Sequence, residues 1–179
     1  MKDFSQDDWY KQIEAHYGDE TAKRSKIRLM DHINDGLIIL DLLGASERAK
    51  QAYCIHPMTQ SDSDLSEWFN GPDWLERLYS ADHNAEVIVL AMEYRSVANE
   101  YLSTREIEDI SEIRLSPLHE VNIMLVADKI QNRKDFEAHH KGTHARSDKL
   151  DQYFKNWLER LGISEGRYSE ICDEVALRC

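Results

Sequence analysis

Apolar residues recur every three to four positions along most of this chain, the spacing of helices that bury one face. Across 26–43 the stripe runs through Ile27, Met30, Ile33, Leu37 and Leu40, and Gly44 offers a stop. A second helix is expected over 47–55. Pro57 lacks an amide and clashes with the preceding turn, so it should end that helix and leave His56 at its terminus. Ser61 or Ser63 can cap a short helix running to Phe69, and Asn70-Gly71-Pro72 marks a boundary. A further short helix is predicted over 73–79.

The longest stripes lie further on. Val87, Leu90, Tyr94, Val97 and Tyr101 predict a helix over 86–102, and Pro117 suits the start of another over 117–136. The polar, glycine-containing stretch 140–147 reads as a mobile connection to helices over 150–161 and 167–177. Neither an internal repeat nor a low-complexity linker divides these segments. The expectation is an all-α fold in one domain over 1–179, a length that buries a substantial core.

Charge and cysteine content narrow the class. Thirty-four acidic against 22 basic residues give a formal charge of −12, which disfavours extended nucleic acid as a partner but permits a local phosphate pocket. Asn34, Asp35 and Asp41 interrupt the most apolar helix candidate, so no membrane partner is expected and a cytoplasmic protein is the reading. A homo-oligomer is compatible with the sequence. Cys54, Cys172 and Cys179 lack paired metal-binding spacing and read as reduced thiols, with Cys54 in the core.

His32, His56 and Asp128 are the candidate metal ligands, since imidazole nitrogen and carboxylate oxygen together suit zinc, manganese or iron(II). A structural alternative stands beside this: His32 as a satisfied core histidine, His56 as a helix-end hydrogen bonder, Asp128 as a salt-bridge partner. Asn132 lies four residues beyond Asp128 on the same helical face. It and Glu93 are candidate catalytic residues, Glu93 for proton transfer. Arg28, Arg95, Asn99 and Lys129 are candidate substrate contacts, with surface pairing as the alternative. His139, His140 and His144 concentrate imidazoles in a region expected to do ordinary surface chemistry. Trp68 and Trp74 are expected to seal the core rather than stack on a base.

Taken together, His32 on a periodic helix, the segment AYCIHPMTQSD and the later helix bearing LVADKIQNR resemble the HD superfamily of helical metal-dependent phosphohydrolases. The resemblance covers 26–135 and is nearest to the branch that hydrolyses guanosine tetraphosphate and pentaphosphate. It implies a compact HD-like bundle in which His32 is the early ligand, His56 the histidine of the His-Asp doublet and Asp128 the later ligand. Pro57 stands where the doublet aspartate belongs, and proline has no coordinating atom. The branch's HDxxED segment reads here as His56-Pro57-Met58-Thr59-Gln60-Ser61, so its Glu-Asp pair is replaced by uncharged groups. Asp62 or Asp64 can substitute for a missing outer carboxylate if the following loop turns inward.

Three functions follow as expectations. The first is a divergent phosphohydrolase acting on a nucleotide or small phosphorylated metabolite, with His32, His56 and Asp128 holding a divalent ion. The second is a catalytically inactive HD-like nucleotide-binding or protein-interaction regulator. The third, an iron-dependent oxygenase, follows from related helical scaffolds that use iron and from the two-histidine, one-carboxylate set.

Overall fold

The structure, a computed structural model, describes residues 4–23, 25–70 and 85–178. Eight α-helices make up most of it: α1 (Asp8–Tyr17), α2 (Leu29–Leu42), α3 (Glu47–Gln60), α4 (Asp62–Asn70), α5 (Ala85–Glu100), α6 (His119–His139), α7 (Ser147–Arg160) and α8 (Glu165–Ala176). No strand is present among the described residues. The all-α expectation holds, while the predicted helix over 73–79, Trp74 and Cys179 lie outside the described residues. No helix among those described is long and apolar enough to cross a membrane.

Local chemistry accounts for most helix ends. Gly44, at φ 69°, follows α2 in a Schellman arrangement, with Ala45 N–H on the Leu40 carbonyl at 2.9 Å and Gly44 N–H on Asp41 at 3.1 Å. Ser46 caps α3 through the Ala49 amide, Ser61 caps α4 through the Asp64 amide, and Ser164 caps α8 through the Arg167 amide. Ser116 and Asn122 exchange two backbone–side-chain hydrogen bonds that fix the chain's entry into α6. The segment 140–147 folds into hydrogen-bonded turns, including Gly142 N–H to Ser147 Oγ at 2.7 Å.

Two of the boundaries that differ from expectation have a clear physical cause. Helix α2 begins at Leu29 rather than residue 26, because Thr21 and Arg28 pair in an isolated antiparallel bridge and Lys26 sits at φ 62°. The second difference is larger. Helix α3 passes through Pro57 and continues to Gln60, so His56 lies within the helix and not at its end. Proline removes one rung from the ladder, and tertiary packing retains the turn beyond it.

The site's position follows from how α3 is buried. It packs against α5, α1, α4, α2 and α6, and from Ala52 to His56 every residue is buried. Helix α6 crosses beside it and is buried continuously from Met124 to Gln131. His56 and Asp128 are therefore carried into the interior by helices whose apolar residues fill the core. Helix α1, with Trp9 and Ile13 buried and Asp7 capping it, closes α3 from the outside. Cys54 is buried, Cys172 half-buried, and both are free thiols; Trp68 is buried as expected.

Candidate metal centre

His32 from α2, His56 from α3 and Asp128 from α6 converge. His32 Nε2 stands 3.4 Å from His56 Nε2, and Asp128 Oδ1 lies 3.6 Å from the first and 3.7 Å from the second. These edges are near or beyond hydrogen-bond length. A point equidistant from all three atoms lies about 2.1 Å from each, the length of a zinc–imidazole bond. Among the described residues this is the one group of three His, Cys, Asp or Glu side chains gathered closely enough to hold a metal ion. The rings of His139, His140 and His144 meet edge to face, at centroid separations of 6.3 and 6.4 Å.

Hydrogen bonds assign the protons on both imidazoles. His56 Nδ1 lies 2.6 Å from the Tyr53 carbonyl oxygen, which can only accept, so Nδ1 carries the hydrogen and Nε2 keeps its lone pair. For His32 the assignment runs through two residues. Gln131 donates its amide Nε2 to Asp135 Oδ2 at 2.7 Å, which turns its carbonyl oxygen toward His32 Nδ1 and makes that nitrogen the donor. Both Nε2 lone pairs therefore face the Asp128 oxygen. Acceptors crowded in that arrangement repel one another, with only the Tyr53 hydroxyl, 3.4 Å from His32 Nε2, to offset it, and a shared cation would relieve the repulsion.

Asp128 is held with equal care. Oδ1 accepts from Asn132 Nδ2 at 2.8 Å and Oδ2 from Lys129 Nζ at 2.8 Å, and the Tyr94 hydroxyl from α5 also bonds the carboxylate. Burial raises the Asp128 carboxyl, but the nearby Lys129 charge and the two imidazoles reverse this and hold it well below the usual carboxylate range. Burial likewise dominates at His56, whose imidazole is pushed down to about 4 despite the attraction of Asp128. His56 is thus uncharged at neutral pH. Burial pulls the Lys129 ammonium down, yet pairing with Asp128 more than reverses this and holds it above the ordinary lysine range. Its Nζ sits over the Trp157 and Tyr153 rings at 5.4 and 5.7 Å.

Tyr53 organises both histidines. Its ring stacks near His32 at 5.8 Å and packs against His56 at 4.6 Å between centroids. Space for that ring comes from Gly36, one turn beyond His32, because a methyl group there would overlap the Tyr53 phenol. A mid-helix glycine is thereby explained by close approach.

The triad opens into a cavity of about 470 Å³ whose wall includes Tyr17, Arg28, Pro57, Gln60, Asp64, Tyr94, Lys129, Asn132 and Asp135. Of the other sequence candidates, Arg28, Lys129 and Asn132 line this cavity, and Glu93, Arg95 and Asn99 are not part of its wall. Glu93 accepts from Arg114 Nη1 at 3.1 Å and from Ser116 Oγ at 3.0 Å. Arg95 pairs with exposed Asp62. Asn99 clamps the end of α3, accepting from the Gln60 side chain at 2.9 Å and donating to its backbone carbonyl at 3.0 Å. Asp64 lines the cavity with its carboxylate engaged by Ser61; Asp62 points to solvent.

Comparison with protein-family models, curated proteins and solved structures finds no match for this chain. The residues and their geometry carry the functional argument.

Proposed function

We propose that this chain is a metal-dependent phosphohydrolase of HD-like type, with His32, His56 and Asp128 holding a divalent manganese, zinc or iron ion and a nucleotide or small phosphorylated metabolite as substrate. One observation carries the metal part: two imidazoles locked with Nδ1–H outward present Nε2 lone pairs to the same carboxylate oxygen at 3.4–3.7 Å. When bound, such an ion supplies Lewis-acid polarisation of a phosphoryl oxygen and acidification of water. The chain's own contribution is positional. Asn132 and Lys129 fix the Asp128 carboxylate, and Arg28, at the cavity wall with an exposed guanidinium paired only loosely with exposed Asp19 at 4.0 Å, can turn to a phosphate. Lys129 serves the site by holding Asp128, since its ammonium is committed there.

A second reading has its own support. Pro57 replaces the acidic member of the family's doublet, Gln60 is clamped by Asn99 and Ser61 caps α4. The positions at which the resemblance would place acidic groups thus perform structural work here, which favours a noncatalytic nucleotide-binding or partner-binding descendant. Two measurements separate the readings. Elemental analysis of the purified protein should find metal near one equivalent, and a panel of nucleotides and phosphate esters should show turnover that a chelator abolishes. Stoichiometric metal with no turnover across the panel selects the binding protein; failure to take up metal removes the metal centre itself.

A further inference from the structure

In an α-helix each amide donates to the carbonyl four residues earlier. Position 57 has no amide to give, so the Tyr53 carbonyl loses its ladder partner inside a helix that runs unbroken from Glu47 to Gln60. Tyr53 is completely buried, and an orphan carbonyl there would be costly. The partner that takes it is His56 Nδ1, at 2.6 Å. The same hydrogen bond aims His56 Nε2 at His32 and Asp128.

We propose that Pro57 is a positioning residue: by withholding the amide that would occupy the Tyr53 carbonyl, it reserves that oxygen for His56 Nδ1–H and fixes the imidazole with its Nε2 lone pair facing His32 and Asp128. The residue that is lost as a ligand is gained as a constraint on the neighbouring ligand. An alanine at 57 would supply an amide along the helix axis, draw the Tyr53 carbonyl back into the ladder and weaken its hold on the ring. The proline ring also lines the cavity beside the triad, and the hydrogen bonds to Asp128 come from Lys129, Asn132 and Tyr94, so the substitution removes none of them.

The tautomer is open to direct measurement in the metal-free protein, while the consequence for affinity rests on the metal-centre reading above. Long-range ¹H–¹⁵N NMR of imidazole-labelled protein at neutral pH should show His56 almost wholly as the Nδ1–H form. In Pro57→Ala, and in Pro57→Leu, which restores the amide while keeping apolar volume, the Nε2–H form should become readily detectable. Zinc affinity by calorimetry should fall roughly 10–100-fold in the same variants. An Nε2–H tautomer in the parent protein, or an unchanged tautomer in both folded variants, overturns the proposal. If the parent binds no zinc, the metal reading fails and the NMR comparison still decides the role of Pro57.

Discussion

Two sets of three side chains of metal-ligating type lie among the described residues, and they differ in geometry and in support. His139, His140 and His144 are close along the chain, lie where α6 ends and the next turns begin, and bring their rings together edge to face. His32, His56 and Asp128 span almost a hundred residues yet bring three acceptor atoms within 3.7 Å of one another. In the second group each ligand is oriented by another residue: Gln131 for His32, Tyr53 for His56, Asn132 and Lys129 for Asp128. Convergence and outer support, rather than density of histidines, separate a prepared site from a collection of imidazoles.

The strongest way to break this comparison is to exchange the losses. His32→Ala should abolish stoichiometric metal by elemental analysis while helical circular dichroism is retained, and the combined His139→Ala, His140→Ala and His144→Ala variant should keep its metal. The reverse result would assign the ion to the surface cluster. Asp128→Asn should do more than remove metal, because it leaves the Lys129 ammonium buried without its counter-charge. Denaturant unfolding should report a loss of about 3–5 kcal/mol; a stability equal to the parent's would show that Lys129 does not depend on Asp128.

Acid should expose the same asymmetry. His56 titrates at about 4 in the fold against an ordinary 6.5, so the unfolded chain takes up the proton first as pH falls. The metal-free protein should lose stability from about pH 6.5 down to about pH 4, by at most roughly 1.4 kcal/mol per pH unit from this group. Asp128, with its pKa depressed, adds a loss of the same sign at still lower pH. Urea midpoints across this window should fall in the parent and flatten in His56→Gln, and equal slopes would contradict a neutral buried His56. The smallest effect expected is that of Gly36→Ala. Overlap with the Tyr53 phenol should cost about 1–3 kcal/mol and displace both histidines. A well-tolerated alanine would show that Tyr53 can move without disturbing them.

Much of the fold was legible because apolar spacing reports burial directly. The stripes over 86–102 and 117–136 correspond to α5 and α6 within a few residues. Helix α1 carries only two buried apolar residues, Trp9 and Ile13, which is too sparse a stripe to read. Pro57 misled for a different reason: a local rule about helix breaking met a helix enclosed by five others, and packing prevailed. The three proposed ligands were legible as residue types, and Asn132 by its spacing from Asp128, but the partners that orient the two histidines, Gln131 and Tyr53, were not. Gln131 acts through Asp135, an i,i+4 pair indistinguishable in sequence from a surface hydrogen bond. Glu93 and Tyr94 differ by one position, and that rotation around α5 sends the carboxylate to Arg114 and the phenol to Asp128. The cavity wall from residues 17 to 29 depends on a bridge between Thr21 and Arg28 that no periodicity announces.

Lys129 sets the charge of whatever the triad holds. With its ammonium beside Asp128 and with His56 neutral, the ligand set has little net negative charge to offer. A divalent ion seated there would keep most of its own charge, unlike one bound by several free carboxylates. On the metal-centre reading, that complex would be electrostatically complete only after an anion entered from the cavity, a preference that the Asp64 and Asp135 carboxylates on the wall would temper.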